Sequence, residues 1–360
     1  MKTISFIVPD INFGGGGERV VANMANYFVN NYSYNVEIIS LGYQNDKLYY
    51  QIDSKVKIKY LYVDQENSNI ISNILFKLKS YKRLNSYLNQ YHEKHFVLGI
   101  GTYPNILLAH INGNNLIKIG CEHSYFNSLN KLWCFLRKIS YKKLDATISL
   151  TNEGFNNLNN ISRKCYVIPN ARTFAPVNKD CTKDNKQLLF IGRISYEKGY
   201  DYMLEVFEKL SKQIPDWNLL IVGDGPLKDW LTDEIKRRSL QDRITQINTS
   251  KNIINEYLES SIYLMTSRNE GLPMVLLEAQ AFGLPIICFN CQTGPSEIVT
   301  DGFDGFLIDP FEIDVMVKKI KILIEDEKLR ILFSKNAIQS SDKFSEGKIY
   351  SKWKQLFNEL

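Results

Sequence analysis

Thr3-Ile4-Ser5-Phe6-Ile7-Val8-Pro9-Asp10, followed by Gly14-Gly15-Gly16-Gly17-Glu18-Arg19-Val20-Val21, is the stretch on which the fold turns. Residues 3–8 form a short apolar run closed by Pro9, which reads as a buried strand. Residues 18–29 place Val20, Val21, Met24, Ala25 and Phe28 at helical spacing. Strand, glycine turn, helix is the opening of a nucleotide-type α/β unit. Glycines at such a turn let the backbone approach a bound group, and a helix N-terminus favours anions. A dinucleotide fingerprint would read Gly-x-Gly-x-x-Gly. Val20 or Val21 stands where its third glycine belongs, which argues against a nicotinamide-dependent dehydrogenase. Taken alone, the run also fits a merely flexible loop.

Working outward, similar units follow at 34–41, at 96–101 with a helical 104–111, and at 116–120, 145–150 and 165–169. Strands alternating with helices predict a parallel, doubly wound sheet. Composition shifts at 171–186, a polar stretch that reads as a linker. The pattern then restarts with strands at 187–192, 218–223, 244–247, 261–266, 285–289 and 305–308. Helices are expected at 199–212, 273–282, 311–325 and 327–341, and a last one, carrying Trp353 and Phe357, at 345–358. The expectation is two tandem α/β domains, 1–170 and 171–344.

A chain of 360 residues suits two domains of ordinary size. Its 44% apolar and 23% charged composition fits a globular protein. The N-terminal apolar run is too short for a signal peptide, and no stretch is long and apolar enough to span a bilayer, so a cytoplasmic location is expected. Cys288-x-x-Cys291 has no second pair and no histidine near it in sequence, so reduced thiols beside a strand are the plainer reading than a metal site. The net charge of +5 is unevenly spread: 19 Lys/Arg against 11 Asp/Glu through Ala171, then 25 against 28. The basic half is the one expected to meet something anionic.

Four further motifs carry chemistry. In Gly192-Arg193-Ile194-Ser195-Tyr196-Glu197-Lys198-Gly199, two cations flank a strand-to-helix turn at the carboxyl edge of a sheet, where ligands bind. Arg forks onto phosphate oxygens and Lys adds a compact charge, so a diphosphate is a fitting guest; two solvated surface cations also fit by position alone. In Glu270-Gly271-Leu272-Pro273-Met274-Val275-Leu276-Leu277-Glu278, one carboxylate precedes a helix and the other lies inside it, about 8 Å along at 1.5 Å per residue. The free amides at that helix start, near Leu272, Met274 and Val275, suit a phosphate between them. Glu278 has apolar neighbours and so needs a buried partner, for which a sugar or ribose diol is suitable. Gly223-Asp224-Gly225-Pro226 reads as turn chemistry with Pro226 opening a helix, and Gly294-Pro295-Ser296-Glu297 as a helix start. His123, after the strand at 116–120, can reach a ligand, but a lone histidine there can equally be structural.

In order and spacing these motifs resemble glycosyltransferase family 4 over nearly the whole chain, bacterial O-antigen, capsule and lipid-linked oligosaccharide enzymes in particular. The resemblance implies a GT-B fold, two Rossmann-like domains facing a central cleft, with residues 345–360 returning to the first. It implies a retaining hexosyltransferase that uses a nucleotide sugar, with uridine diphosphate the commonest carrier, and no metal or other cofactor. Arg193 and Lys198 would hold the donor diphosphate, Glu270 would contact the transferred sugar, and Glu278 would bind the ribose. Backbone at Leu272, Pro273, Met274 and Val275 would complete the phosphate site, Gly16 and Gly17 would approach from the first domain, and His123 would lie near the sugar. The family mechanism is front-face attack, with a donor phosphate oxygen taking the acceptor proton. The fourth glycine replaces an alanine common in the family.

Residues 70–83 and 131–143 mix cations with large apolar side chains in the basic half. They read as segments that dock on anionic lipid, which would place the protein peripherally on the inner membrane face, with ordinary helices packed on the sheet as the alternative; the resemblance implies an undecaprenyl-diphosphate-linked acceptor at that face. No recognised nucleic-acid motif accompanies the charge. A non-catalytic sugar-nucleotide-binding subunit, or another GT-B enzyme such as a sugar-nucleotide epimerase, would share much of this pattern.

Overall fold

The computed structural model describes residues 2–44, 48–62, 70–123, 125–126, 129–177, 185–248 and 253–360. The chain divides into two compact units, residues 1–171 with 346–360, and 172–345. In the first, β1 (Thr3–Val8), β2 (Asn35–Ser40), β3 (Lys57–Tyr60), β4 (His95–Ile100), β5 (Leu116–Glu122), β6 (Ala146–Ser149) and β7 (Cys165–Val167) form one seven-stranded sheet in the order β3-β2-β1-β4-β5-β6-β7. Every pairing in it is parallel. Its helices are α1 (Gly16–Tyr32), α2 (Ile70–Leu88), α3 (Thr102–Ala109), α4 (Lys131–Ser140) and α5 (Asn152–Asn159).

In the second unit, β8 (Gln187–Ile191), β9 (Asn218–Val222), β10 (Ile244–Ile247), β11 (Ile262–Met265), β12 (Ile286–Phe289) and β13 (Gly305–Ile308) form a six-stranded parallel sheet ordered β10-β9-β8-β11-β12-β13. It carries α6 (Tyr200–Ser211), α7 (Lys228–Arg237), α8 (Ile253–Leu258), α9 (Met274–Ala281), α10 (Pro295–Ile298), α11 (Ile313–Glu325) and α12 (Glu327–Ser341). The last helix, α13 (Glu346–Glu359), belongs to the first unit. It buries Ile349, Tyr350, Trp353, Leu356 and Phe357, and Phe357 packs 4.9 Å from the Phe96 ring of β4. Both sheets are doubly wound. Strand order reverses between β1 and β4 in one and between β8 and β11 in the other, and such switch points open a crevice at the carboxyl edge.

The apolar runs are strands because both faces of each parallel sheet are covered. β3 escapes that pattern. Lys57-Ile58-Lys59-Tyr60 sits at the sheet edge with both lysines exposed, and edge strands keep such charges to deter pairing. The polar stretch at 171–186 is not all linker. Arg172 N–H donates to Phe344 O (2.8 Å) and Val177 N–H to Ala281 O (2.9 Å), so its start is fastened to the second unit. Residues 178–184 lie outside the described residues. Pro226 does not open a helix either. α7 begins at Lys228, because Leu227 N–H is drawn back to Ile194 O at 3.0 Å.

A polar cluster crosses the core of the first sheet. Ser5 Oγ donates to Glu37 Oε2 (3.0 Å) and lies 2.8 Å from His95 Nε2. Tyr91 and Tyr87 also donate to Glu37. Since the Ser5 proton goes to Glu37, its oxygen accepts from His95 Nε2–H and leaves Nδ1 bare. That ring is buried and neutral, and burial pushes its pKa down to about 4. The unfolded imidazole titrates near 6.5. Between these values the unfolded chain binds the extra proton, so stability falls as pH drops from about 6.5 toward about 4 and levels off below. Urea midpoints measured across that range are expected to decline in the wild type and to decline less steeply in His95→Gln, where the buried His123 still contributes; parallel profiles would place the effect elsewhere.

Candidate donor site at the second switch point

β8 and β11 are hydrogen-bonded neighbours, so the loops that leave them meet. After β8 the chain turns at Gly192, makes a 3-10 turn over Tyr196–Lys198, and enters α6 through Gly199. Gly199 has φ 67°, and a Cβ there would stand 2.0 Å from Thr266 O, so only glycine lets this turn close on the end of β11. Thr266 Oγ1 donates to Gly199 O at 2.8 Å and locks the approach. Lys198 then lies with its stem against Gly192 and its Nζ 2.6 Å from Glu270 Oε1.

Glu270 is 9% exposed. Ser267 Oγ donates to its Oε1 at 2.7 Å, and Thr293 donates to its backbone carbonyl. Gly294, at φ 97°, lets the next loop press on Gly271 and Pro273, where a Cβ would lie 2.6 Å from each. Leu272 is buried, Pro273 is the N-cap, and the helix begins at Met274, leaving the amides of Met274 and Val275 at an unpaired helix start beside Glu270. α9 is apolar around most of its circumference and buries Glu278 at 1% exposure. A buried carboxylate must be bonded, and Tyr257 Oη of α8 donates to Glu278 Oε2 at 2.8 Å. Glu278 thus has a protein partner already, which the sequence reading did not anticipate.

The turn therefore brings Lys198 and Glu270 together. Arg193 stands apart. It is exposed beside Gly192; Ser195 Oγ donates to its backbone carbonyl at 3.3 Å, and among the described residues no hydrogen bond or ion pair fastens its side chain. Burial opposes ionisation of the Glu197 carboxyl, but a Ser195 hydrogen bond, a bond from its own backbone amide and then the charges of Lys198 and Arg193 hold it below its ordinary range. Asp224 O accepts from Ile194 N–H at 2.9 Å, so the 223–227 turn props this loop from below.

Gly16, Gly17 and His123 belong to the first domain. Gly16 and Gly17 start α1, and the space over Gly16 is open. Burial raises the Glu18 carboxyl in the same helical turn. His123 follows β5, and burial pushes its ring down to about 4, so it is neutral near pH 7. Its neighbour Glu122 is buried and accepts from Thr102 Oγ1 (3.0 Å) and Tyr141 Oη (2.6 Å). Arg137 corrects one expectation. It lies in the expected lipid-facing stretch 131–143, yet it is 2% exposed, 4.0 Å from Glu122 and stacked 3.5 Å over the Phe126 ring. The outer face of α4 instead shows Leu132, Phe135 and Ile139, with Lys131 and Lys138. Lys77 of α2 reaches the Trp133 ring of α4 at 4.7 Å, and Leu75 and Leu78 are exposed on α2. Side chains at 70–74 lie outside the described residues.

Cys288 and Cys291 are buried free thiols, with burial pushing Cys291 up to about 12. Among the described residues no helix is long and apolar enough to cross a membrane.

Residues 172–340 match the family model "Glycosyl transferases group 1". An uncharacterized glycosyltransferase of Haemophilus influenzae is 32% identical over 99% of this chain and 100% of its own length. The amylovoran biosynthesis glycosyltransferase AmsD of Erwinia amylovora is 30% identical over 99% and 100%. The chain is a glycosyltransferase of this family. A Campylobacter jejuni α-1,4-N-acetyl-D-galactosaminyltransferase, named for a diNAcBac-PP-undecaprenol-linked acceptor, is 26% identical over 100% of this chain and 99% of its own. S. aureus TarM, solved as a variant with UDP, superposes with TM-score 0.85 at 17% identity, covering 99% and 100%. Sucrose-phosphate synthase of Thermosynechococcus elongatus gives 0.85 at 16%, covering 100% and 99%. The glycosyltransferase accordingly has the GT-B fold, two Rossmann-like domains.

Nothing in the sequence marked Thr293 or Tyr257 as supports, since each acts across a fold contact, whereas Ser267 reaches Glu270 from three residues away. The Lys198–Glu270 pair makes a stability prediction. Lys198→Ala leaves a buried carboxylate short of its cation and is expected to cost roughly 1–3 kcal/mol. Adding Glu270→Gln is expected to restore most of that loss in urea denaturation; a double variant as unstable as the sum of both singles would contradict the pairing.

Proposed function

We propose that this glycosyltransferase moves a hexose or N-acetylhexosamine from a uridine-diphosphate sugar to an undecaprenyl-diphosphate-linked saccharide, with retention at the anomeric carbon and no metal. The observation that carries the reading is the Lys198–Glu270 pair beside the start of α9, at the switch point of the second sheet. A diphosphate needs compensating positive charge as the sugar leaves. Lys198 and the amides of Met274 and Val275 supply it in one place, with Arg193 free to swing in from the surface. Glu270 is then set to accept from the sugar hydroxyls. Glu278, about one turn into α9, is set to accept from the ribose, sharing its carboxylate with Tyr257.

In this reading neither glutamate moves a proton. The acceptor hydroxyl attacks on the face the diphosphate leaves, and a donor phosphate oxygen takes its proton. His123, neutral near pH 7, can accept or donate a hydrogen bond at the sugar without adding charge. The UDP complex of the TarM variant and the lipid-linked acceptor named for the Campylobacter relative support the donor and acceptor classes. The amylovoran relative supports a place in bacterial surface polysaccharide synthesis.

Released nucleotide, measured over a panel of UDP-sugars with a lipid-linked acceptor, tests the reading. Lys198→Ala is expected to lower turnover about 10²- to 10³-fold, as loss of one charge-stabilising donor does. NMR of the product is expected to show the donor's anomeric configuration. Transfer unchanged in both Lys198→Ala and Glu270→Ala would overturn the site.

The exposed apolar and basic residues of α2 and α4 support docking on anionic lipid, the surface on which such an acceptor sits. Vesicle flotation is expected to bring the protein up with anionic but not neutral lipid, and Leu132→Glu/Phe135→Glu to abolish it. Equal binding to both lipids, or to neither, contradicts docking.

A further inference from the structure

Arg268 stands two residues before Glu270 and takes no part in the chemistry proposed above. Its side chain is 11% exposed and spans the two loops that make the donor site. Its own N–H donates to Glu197 O at 2.8 Å, and its Nη1 donates to Tyr196 O at 2.7 Å. Both guanidinium ends reach the Asp201 carboxylate, Nη1 at 3.0 Å from Oδ1, as a bidentate fork. The guanidinium plane is sandwiched between two rings, with Tyr196 at 4.0 Å and Tyr202 at 4.4 Å from their centroids. One side chain from the loop after β11 is thereby joined to the turn after β8 and to the first turn of α6.

The register is what matters. Tyr196 stands two residues before Lys198, and Arg268 two before Glu270. Fixing 196–197 on 268 therefore sets the distance between the backbones that carry the ion pair. Lysine has a flexible four-carbon stem and cannot hold a geometry by itself. Thr266 and Gly199 close one side of the turn, and the Arg268 stack closes the other.

We infer that Arg268 is a positioning residue, which acts through Lys198 and Glu270 by holding the two loops in register, with Tyr196 and Asp201 as its anchors. The inference rests on the donor-site reading for its effect on catalysis. Its effect on geometry is independent of that reading.

The test uses the full chain and UDP as probe. Four proteins are compared by calorimetry: wild type, Arg268→Lys, Lys198→Ala and the double variant. Arg268→Lys keeps the charge but loses fork and stack. It is expected to weaken UDP binding about 10-fold in the wild-type background and to change it less than 2-fold once Lys198 is gone. Asp201→Asn is expected to behave likewise. Equal weakening in both backgrounds, or none in either, overturns the inference. Should wild type bind no UDP, the donor reading fails, and a second cycle decides on Arg268 alone. The coupling between Lys198 and Glu270 in urea denaturation is then expected in the wild-type background and lost with Arg268→Lys. Coupling that persists undiminished in Arg268→Lys overturns it.

Discussion

Lys198 and Glu270 stand 72 residues apart, and their 2.6 Å contact exists because β8 and β11 are neighbours in a parallel sheet. The arrangement of the proposed donor site follows from that adjacency. A parallel pair needs a crossover, and a strand order that reverses sends successive crossovers to opposite faces. The loops after the two strands are left facing an open crevice. Gly199 then allows the backbones to come within contact of Thr266, closer than any other residue would permit. The cation and the carboxylate are set by that approach, and the start of α9 is set with them.

The first domain repeats the same winding around β1 and β4, with Gly14–Gly17 in the place that the 192–199 turn occupies in the second. The two differ in charge. The turn after β8 offers two cations, Arg193 and Lys198, whereas the turn after β1 offers Glu18, its carboxyl raised by burial, beside one cation, Arg19. A diphosphate is better served by the second. The cations that the first domain exposes on α2 and α4 stand beside exposed leucines and Phe135, which suits a surface rather than a pocket.

Much of this was legible in the chain. Fully buried parallel strands read as continuous apolar runs, so nearly every strand and the two-domain repeat showed in the pattern, and the loop motifs picked out Lys198 and Glu270, which the fold brings together. What was not legible shares one cause. β3 alternates Lys and apolar residues at an edge and resembles a loop. Arg137 sits among surface cations in sequence, yet the fold turns it inward toward Glu122. Tyr257, Thr293 and Arg268 act on residues that strand adjacency or loop closure brings to them from far off in sequence, so even where they border a motif, as Arg268 and Thr293 do, the sequence does not show what they hold. Glu278 was rightly expected to be buried and to need a partner, but the partner that the fold provides is a tyrosine from another helix.

The proposed function requires the second switch point to hold the donor diphosphate. A crystal structure with UDP bound decides whether it does. The expected result is a diphosphate within hydrogen-bonding distance of Lys198 Nζ and the amides of Met274 or Val275, with the ribose hydroxyls on Glu278. A diphosphate seated wholly on the Gly14–Gly17 turn, with Lys198 still closed on Glu270 and no ribose hydroxyl on Glu278, would contradict it.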